Sequence, residues 1–407
     1  MTFLRCVNGA VIASLLCTAS PPPLMAQSQE SASGVEQPSA TPAGADGATY
    51  QSAIYTPQDK DERGLWMEVD EQERKLKNSN FVIHDPALNA YVHDVFCRTV
   101  GPDCNALRLY IVRTPYFNAT TAPNGMIQVW SGLFLRTRDE AQLAAVLAHE
   151  YVHYRDHHFI KLWRDLKSKS GAAAFFGVFG IIGGLIALAQ LSSVFSFSRD
   201  MEASADAGSV ELLVKAGYDP MAASRVWEQI RAEADATAAA RNVASRKDKT
   251  GGMFATHPPT AERMAMLKAL VAKVPTTGPK MLRRAEYRAA LGPLWAAFID
   301  DQIKRNDFGG TEFLIGFLAN EGWTSDLNYA RGELYRSRGR PADMTAAVGF
   351  YRQATADQAA PVEAWRGLGL SLLRSGAQAD GQAALKIYLA RKPDASDKAM
   401  IAMLAGV

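Results

Sequence analysis

The residues best placed to do chemistry lie in Ala148-His149-Glu150-Tyr151-Val152-His153-Tyr154. The stretch reads HEYVH, two histidines four apart with a glutamate directly after the first. On a helix, positions i and i+4 share one face. His149 and His153 can therefore reach one ion, with Glu150 beside a water on that ion. Zinc accepts neutral imidazole nitrogens and carboxylate oxygens in a tetrahedral site, and a catalytic site leaves one position to water. The ion lowers the pKa of that water to about 7, and the glutamate accepts its proton as it attacks a carbonyl. A bare HExxH also arises by chance, so the assignment depends on a third ligand elsewhere.

Arg199-Asp200-Met201-Glu202-Ala203-Ser204-Ala205-Asp206-Ala207-Gly208 supplies one. Glu202 and Asp206 are four apart, hence on one helix face. Glu202 completes a set of His, His, Glu and water. Asp206 can accept the outer N–H of a ligand imidazole. The plain alternative is a solvated carboxylate pair on an alanine-rich helix. The small residues around Asp206 favour a buried role.

HExxH, then Glu-x-x-x-Asp, then Thr256-His257-Pro258-Pro259-Thr260-Ala261-Glu262-Arg263 resembles the zinc metallopeptidase family that includes HtpX, the CaaX prenyl protease and the periplasmic BepA-like proteases. Asn118-Ala119 followed by Pro123 and Gly125 matches that family's Asn-Ala turn. The resemblance covers roughly residues 60–275. It implies an α+β, mainly helical, gluzincin-type metalloprotease domain with a small β-sheet and one Zn2+ per chain. It implies that His257 lies by the metal, stabilising the oxyanion or coordinating zinc in a closed state. Arg263 would help hold the Asp206 region. It also implies that Met126-Ile127-Gln128-Val129-Trp130 is an edge strand whose main chain pairs with an extended substrate; without that role these residues are only a core strand. Such an enzyme cleaves unfolded or misassembled chains. The family's integral-membrane branches carry flanking spans that are not found here, which favours an exported branch.

The surrounding elements follow from periodicity. Helical patterns run from Asp59 to Lys77, from Asn80 to Cys97 after Asp85-Pro86, and from about Arg138 to His158. Leu107–Val112 alternates and is β-rich, and Pro123-Asn124-Gly125 is turn chemistry between strands. Asp139 and Glu140 load the first turn of the motif helix, as the helix dipole favours. A metzincin site needs a third histidine six residues after the second, and that position is Phe159. His157 and His158 lie too far along a straight helix to reach the same ion; they read as structural or solvent-facing, as do His84 and His93.

Gly171 to Ser198 holds no charged residue and is long enough to span a bilayer. One crossing would part His149 and His153 from Glu202, and two crossings need about 40 apolar residues. The stretch reads as a helical hairpin, either buried as a lid or touching the membrane surface.

At the N-terminus, Arg5 and the apolar run Val7–Leu16 read as a secretory signal (residues 1–26) cleaved after Ala26, with an uncleaved anchor as the alternative. Leu15-Leu16-Cys17 is a poor lipidation site, because a small residue is preferred before that cysteine. Residues 27–58 read as a disordered leader. Export leaves Cys97 and Cys104, across a Gly-Pro turn, as a disulfide pair, with free thiols as the alternative. A hydrophobic share of 48% and a charged share of 21% are ordinary for a globular chain, and a net charge of +2 gives no case for nucleic acid.

The protease domain is expected over 59–275, a linker over 276–285, and helical repeats over 286–407. The repeat shows at an offset of 37: Gly332 with Gly369, Gly339 with Gly376, Ala346 and Ala347 with Ala383 and Ala384, Tyr351 with Tyr388. Small residues at helix crossings with aromatics between them resemble the tetratricopeptide pattern, and BepA-like proteins share the layout. Two readings follow. One is a periplasmic zinc endopeptidase in envelope protein quality control, its repeats recruiting clients or the outer-membrane assembly machinery. The other is a repeat-based chaperone or adaptor with a latent metal site.

Overall fold

The computed structural model describes residues 55–170, 197–245, 257, 261–275 and 280–407. The signal, nearly all of the leader, the apolar stretch at 171–196 and part of the linker lie outside these residues. Among the described residues, no helix is long and apolar enough to cross a membrane.

Local capping sets the first elements. Asp59 accepts from the Asp61 and Glu62 amides and opens α1 (Lys60–Lys77). Asp85 accepts from Leu88 N, and Pro86 starts α2 (Pro86–Val100). The Cys97–Cys104 disulfide, with Cα atoms 5.0 Å apart, closes the turn from α2 into a 3-10 segment, Gly101–Ala106.

Three strands follow: β1 (Arg108–Val112), β2 (Ala119–Thr121) and β3 (Met126–Trp130). Their spatial order is β1-β3-β2. β3 pairs in parallel with β1, Leu109 opposite Ile127, and antiparallel with β2, Thr120 opposite Gln128. This corrects the expected edge strand. β3 is paired along both sides and buried, with Ile127 and Val129 fully buried, so the main chain of Ile127, Gln128 and Val129 is not open to substrate. β1 and β2 are the outer strands: Ile83 N donates to Ile111 O on the outer side of β1, whereas no strand pairing covers the outer side of β2 among the described residues. Asn118 O accepts from Trp130 N, and Ala122 N donates to Met126 O. Residues 118, 120 and 122 thus face β3, and Ala119 and Thr121 turn their main-chain groups the other way.

A single turn, α3 (Ser131–Phe134), leads to α4 (Glu140–Arg155), which Asp139 caps through Gln142 N. Every residue of α4 from Glu140 to Tyr154 is buried, so it is a central helix and not an amphipathic surface one. It ends at Arg155, short of the expected His158. His157 takes φ 54° and turns the chain into α5 (His158–Ser170). α6 (Arg199–Lys215) crosses α4 closely. A Cβ on Gly208 would fall 2.8 Å from Val152 Cγ2, so only glycine permits this approach. α7 (Ala222–Ala240) and α8 (Ala261–Lys273) complete the layer around α4.

The helices after residue 280 share this core. α9 (Arg284–Lys304) contributes Tyr287, Leu291, Phe298 and Ile299, and α10 (Phe308–Leu318) contributes Leu314 and Ile315. α9 and α10 are therefore packed into the peptidase core, although they fall in the span 286–407 read as helical repeats. Two helix pairs follow: α11 (Ser325–Arg338) with α12 (Pro341–Thr355), and α13 (Glu363–Arg374) with α14 (Gln378–Arg391), before α15 (Lys398–Ala405). Gly339 and Gly376 occupy the same turn of each pair at φ 75° and 85°, a conformation that favours glycine. The Tyr351 and Tyr388 hydroxyls donate to Glu333 (2.5 Å) and Asp397 (2.9 Å).

A buried ion pair joins the two regions. Arg136 donates from Nε and Nη2 to Glu233 at 2.8 and 2.6 Å, and from Nη2 to Gln302 Oε1 of α9 at 3.1 Å. Removing the cation leaves Glu233 buried and unpaired. Arg136→Met is expected to lower stability by about 3–5 kcal/mol, read from the urea midpoint by circular dichroism. A loss below about 1 kcal/mol would contradict a buried pair.

Candidate metal centre

The crossing of α4 and α6 brings the predicted residues to one point. His149 Nε2 and His153 Nε2 lie 3.0 Å apart. Glu202 Oε2 is 3.5 Å from the first and Oε1 is 3.6 Å from the second. His257 Nδ1 is 3.2 Å from His149 Nε2 and 2.7 Å from Glu202 Oε1. A tetrahedral zinc with bonds of about 2.0–2.1 Å holds its donor atoms about 3.3 Å apart. The separations above run from 2.7 to 3.6 Å around that value, all four side chains are buried, and together they can hold one metal ion. The donor set of three imidazoles and a carboxylate suits zinc. Glu150 lies beside it. Its Oε1 is 3.4 Å from His257 Nε2, and its Oε2 accepts from Thr121 Oγ1 at 3.3 Å.

Charge balance supports the same fit. Glu150, Glu202 and Asp206 are 2%, 5% and 1% exposed. The fixed cation among them is Arg263, which donates from Nε and Nη2 to the two Asp206 oxygens at 2.6 and 2.7 Å. Its Nη1 is 2.8 Å from Glu202 Oε2, and its guanidinium carbon lies over the Trp227 ring, 4.3 Å from the centre. Three buried carboxylates against one guanidinium leave a deficit that a divalent cation offsets.

The titration of the groups reflects these neighbours. Burial alone would push His149 down, but Asp206 and Glu202 outweigh it and hold the imidazole up, at about 9. Burial and the neighbouring His149 hold His153 well below its ordinary value. Burial lifts Glu150 against the pull of His257 and His149. Burial would also lift Glu202, yet His257 and Arg263 keep it well below the usual carboxylate range.

Asp206 Oδ1 lies 3.1 Å from His149 Nδ1, so the outer nitrogen of that imidazole has an acceptor. The outer nitrogen of His153 meets another histidine: His158 Nδ1 lies 3.0 Å away. His158 is buried, in contrast to the solvent-facing alternative, because the break at His157 folds it back under the site. Phe197 stacks on His153 with ring centres 4.0 Å apart. Sequence spacing did not single out His158, Phe197, Thr121 or Trp227. The available signal was Asp156-His157, a helix-stop pair at the end of α4. Asn118 and Ala119 line a small cavity with Phe117, Val146, Trp227, His149, Glu150 and His257; Ile127, Gln128 and Val129 are one strand further in.

Residues 83–271 match the model of peptidase family M48, a span that holds all of these site residues. The beta-barrel assembly-enhancing protease of Yersinia pestis is 29% identical over 37% of this chain and 34% of its own length. The corresponding protein of Escherichia coli (strain K12) is 26% identical over 39% of this chain and 35% of its own length. The mitochondrial metalloendopeptidase OMA1 of Schizosaccharomyces pombe is 30% identical over 39% of this chain and 45% of its own length. The chain thus spans less than half the length of each relative. Its matched span closes around a buried ligand cluster, and the chain carries, over residues 83–271, a metallopeptidase domain of family M48.

Proposed function

We propose that the chain is an exported, periplasmic zinc endopeptidase that hydrolyses peptide bonds of unfolded or misassembled envelope proteins. The observation that carries the reading is the buried cluster of His149, His153, Glu202 and His257 donor atoms beside Glu150. His149, His153 and Glu202 hold the ion in the working state. Asp206 fixes the His149 ring and Arg263 fixes Asp206. When bound, zinc supplies Lewis acidity to a water and to the scissile carbonyl. Glu150 takes a proton from the attacking water and returns it to the leaving amine. Thr121 anchors the Glu150 carboxylate and, through Oγ1, the Glu150 carbonyl at 3.1 Å. The free side of β2, at Ala119 and Thr121, takes an extended substrate by main-chain pairing. That mode reads conformation more than side chains, which suits unfolded clients. The names of the assembly-enhancing relatives support an envelope role, with the helix pairs from residue 325 recruiting clients or an outer-membrane assembly partner.

One observation favours a second, latent state. His257 Nδ1 lies 3.2 Å from His149 Nε2 and 2.7 Å from Glu202 Oε1, so it would take the place that a working zinc site leaves to water. The adaptor reading is that state made permanent.

One casein-cleavage assay on metal-loaded protein separates these. Glu150→Gln is expected to retain zinc and lose about 10²–10⁴-fold in rate, whereas His257→Ala is expected to cleave faster than wild type. Retained cleavage in Glu150→Gln contradicts the base assignment; zinc without cleavage in both wild type and His257→Ala supports the adaptor. His158→Ala is expected to weaken zinc about 10–100-fold in a chelator competition. An unchanged affinity would mean that His158 does not support His153.

A further inference from the structure

A depression of ≈ 10 Å³ lies at the Ala119 end of β2, between that strand, α4 and α7. Its apolar walls are Phe117, Val146 and Trp227, and Glu150 and His257 border it. Among the described residues that line it, only Asn118 is less than buried, so the depression opens there. The space holds one water, and hence a methyl group but not an isobutyl group or a ring.

The walls are fixed. Phe117 and Trp227 meet edge to face, with ring centres 5.8 Å apart. Arg263, whose guanidinium lies over Trp227, is itself tied to Asp206 and Glu202. The chain before Phe117 is held to α3: Thr114 N donates to Ser131 Oγ at 2.9 Å, and Gly132 N donates to Thr114 O at 2.9 Å. After Phe117, Asn118 O accepts from Trp130 N at 3.0 Å. Val146 lies three residues before His149 on α4, hence on the same face, in a helix buried along nearly its whole length. A close-packed wall of this kind resists larger groups, because they force side chains off their rotamers.

Glu150 says which substrate residue meets these walls. It lines this depression, whereas the depression at the other end of β2 is lined by Pro123, His153 and Phe197 and not by Glu150. Glu150 returns a proton to the leaving amine in the peptidase reading above, on which this inference rests. The residue that carries that amine therefore places its side chain here. We propose that Phe117, Val146 and Trp227 restrict the residue on the leaving-amine side of the scissile bond to glycine, alanine or serine. A carboxylate there would face Glu150, and a lysine or arginine would not fit. When His257 leaves the cluster, the depression opens toward the metal and these three walls stay in place.

The test is calorimetric binding of succinyl hydroxamates to the zinc-loaded full chain bearing His257→Ala. The hydroxamate takes the metal, and the adjacent substituent, methyl or isobutyl, takes the place of the side chain in question. The methyl compound is expected to bind at least about tenfold more tightly than the isobutyl compound. Val146→Ala in the same background is expected to shift that ratio toward isobutyl by about tenfold. It should leave acetohydroxamate, which reaches the metal alone, unchanged. Isobutyl binding as tight as methyl overturns the proposal, and that comparison needs no substitution in the wall. A ratio unmoved by Val146→Ala, with the fold intact by circular dichroism, also overturns it. In both cases acetohydroxamate still binds and the peptidase reading stands. A chain that takes up no zinc, or whose zinc does not bind acetohydroxamate, overturns that reading and this proposal together. In casein cut by the same chain, the residue after each cut is expected by mass spectrometry to be glycine, alanine or serine; a predominance of leucine or phenylalanine there overturns the proposal.

Discussion

Arg263 is the interaction on which the centre depends. Buried carboxylates are tolerated only when paired and hydrogen-bonded. Asp206 meets Nε and Nη2, and Glu202 meets Nη1, of one guanidinium at 2.6 to 2.8 Å. Lysine could not serve both, because its charge is a point and not a planar fork. Trp227 holds the plane of the guanidinium from one side. α8 is thereby locked to α6, and α6 is locked to α4 through Gly208. The remaining negative charge is what makes the cluster a place for a divalent cation and not merely a histidine-rich core.

The two ends of α4 are pinned by different means. At its start, Glu140 is fully buried and accepts from Tyr91 at 2.8 Å, Tyr218 at 2.5 Å and Arg283 at 3.2 Å, with Arg98 as a further partner. Near its end, the Tyr151 hydroxyl donates to Asp103 in the segment that the Cys97–Cys104 disulfide closes. A helix held at both ends keeps the imidazoles and Glu150 in fixed geometry, which metal and base chemistry both require. The helices after residue 280 take part through Arg283 and Gln302, so the C-terminal region is continuous with the peptidase core.

What was legible in the sequence was set by local spacing. His149, Glu150 and His153 share a helix, as do Glu202 and Asp206, and helical period alone places each set on one face. His257 and Arg263 were legible through the resemblance, because no local pattern ties residue 257 to residue 149. The strand order was not legible. Whether Met126–Trp130 lies at an edge depends on which strands return beside it, and alternation within one strand carries no such information. The break at His157 hid His158 for a related reason: periodicity assumes a straight helix, and one residue at positive φ redirects everything after it. The merging of α9 with the peptidase core was likewise a matter of packing partners. The glycines and tyrosines at an offset of 37 were legible because each pair repeats its own local turn and crossing.

The central claim is that the buried cluster is a metal centre of nitrogen and oxygen donors. The most direct measurement is metal content with zinc-edge X-ray absorption on the purified chain as isolated. The account predicts one zinc per chain, coordinated by imidazoles and a carboxylate without sulfur, and lost in His149→Ala. A folded chain that binds no metal, or zinc bound through sulfur, would contradict it.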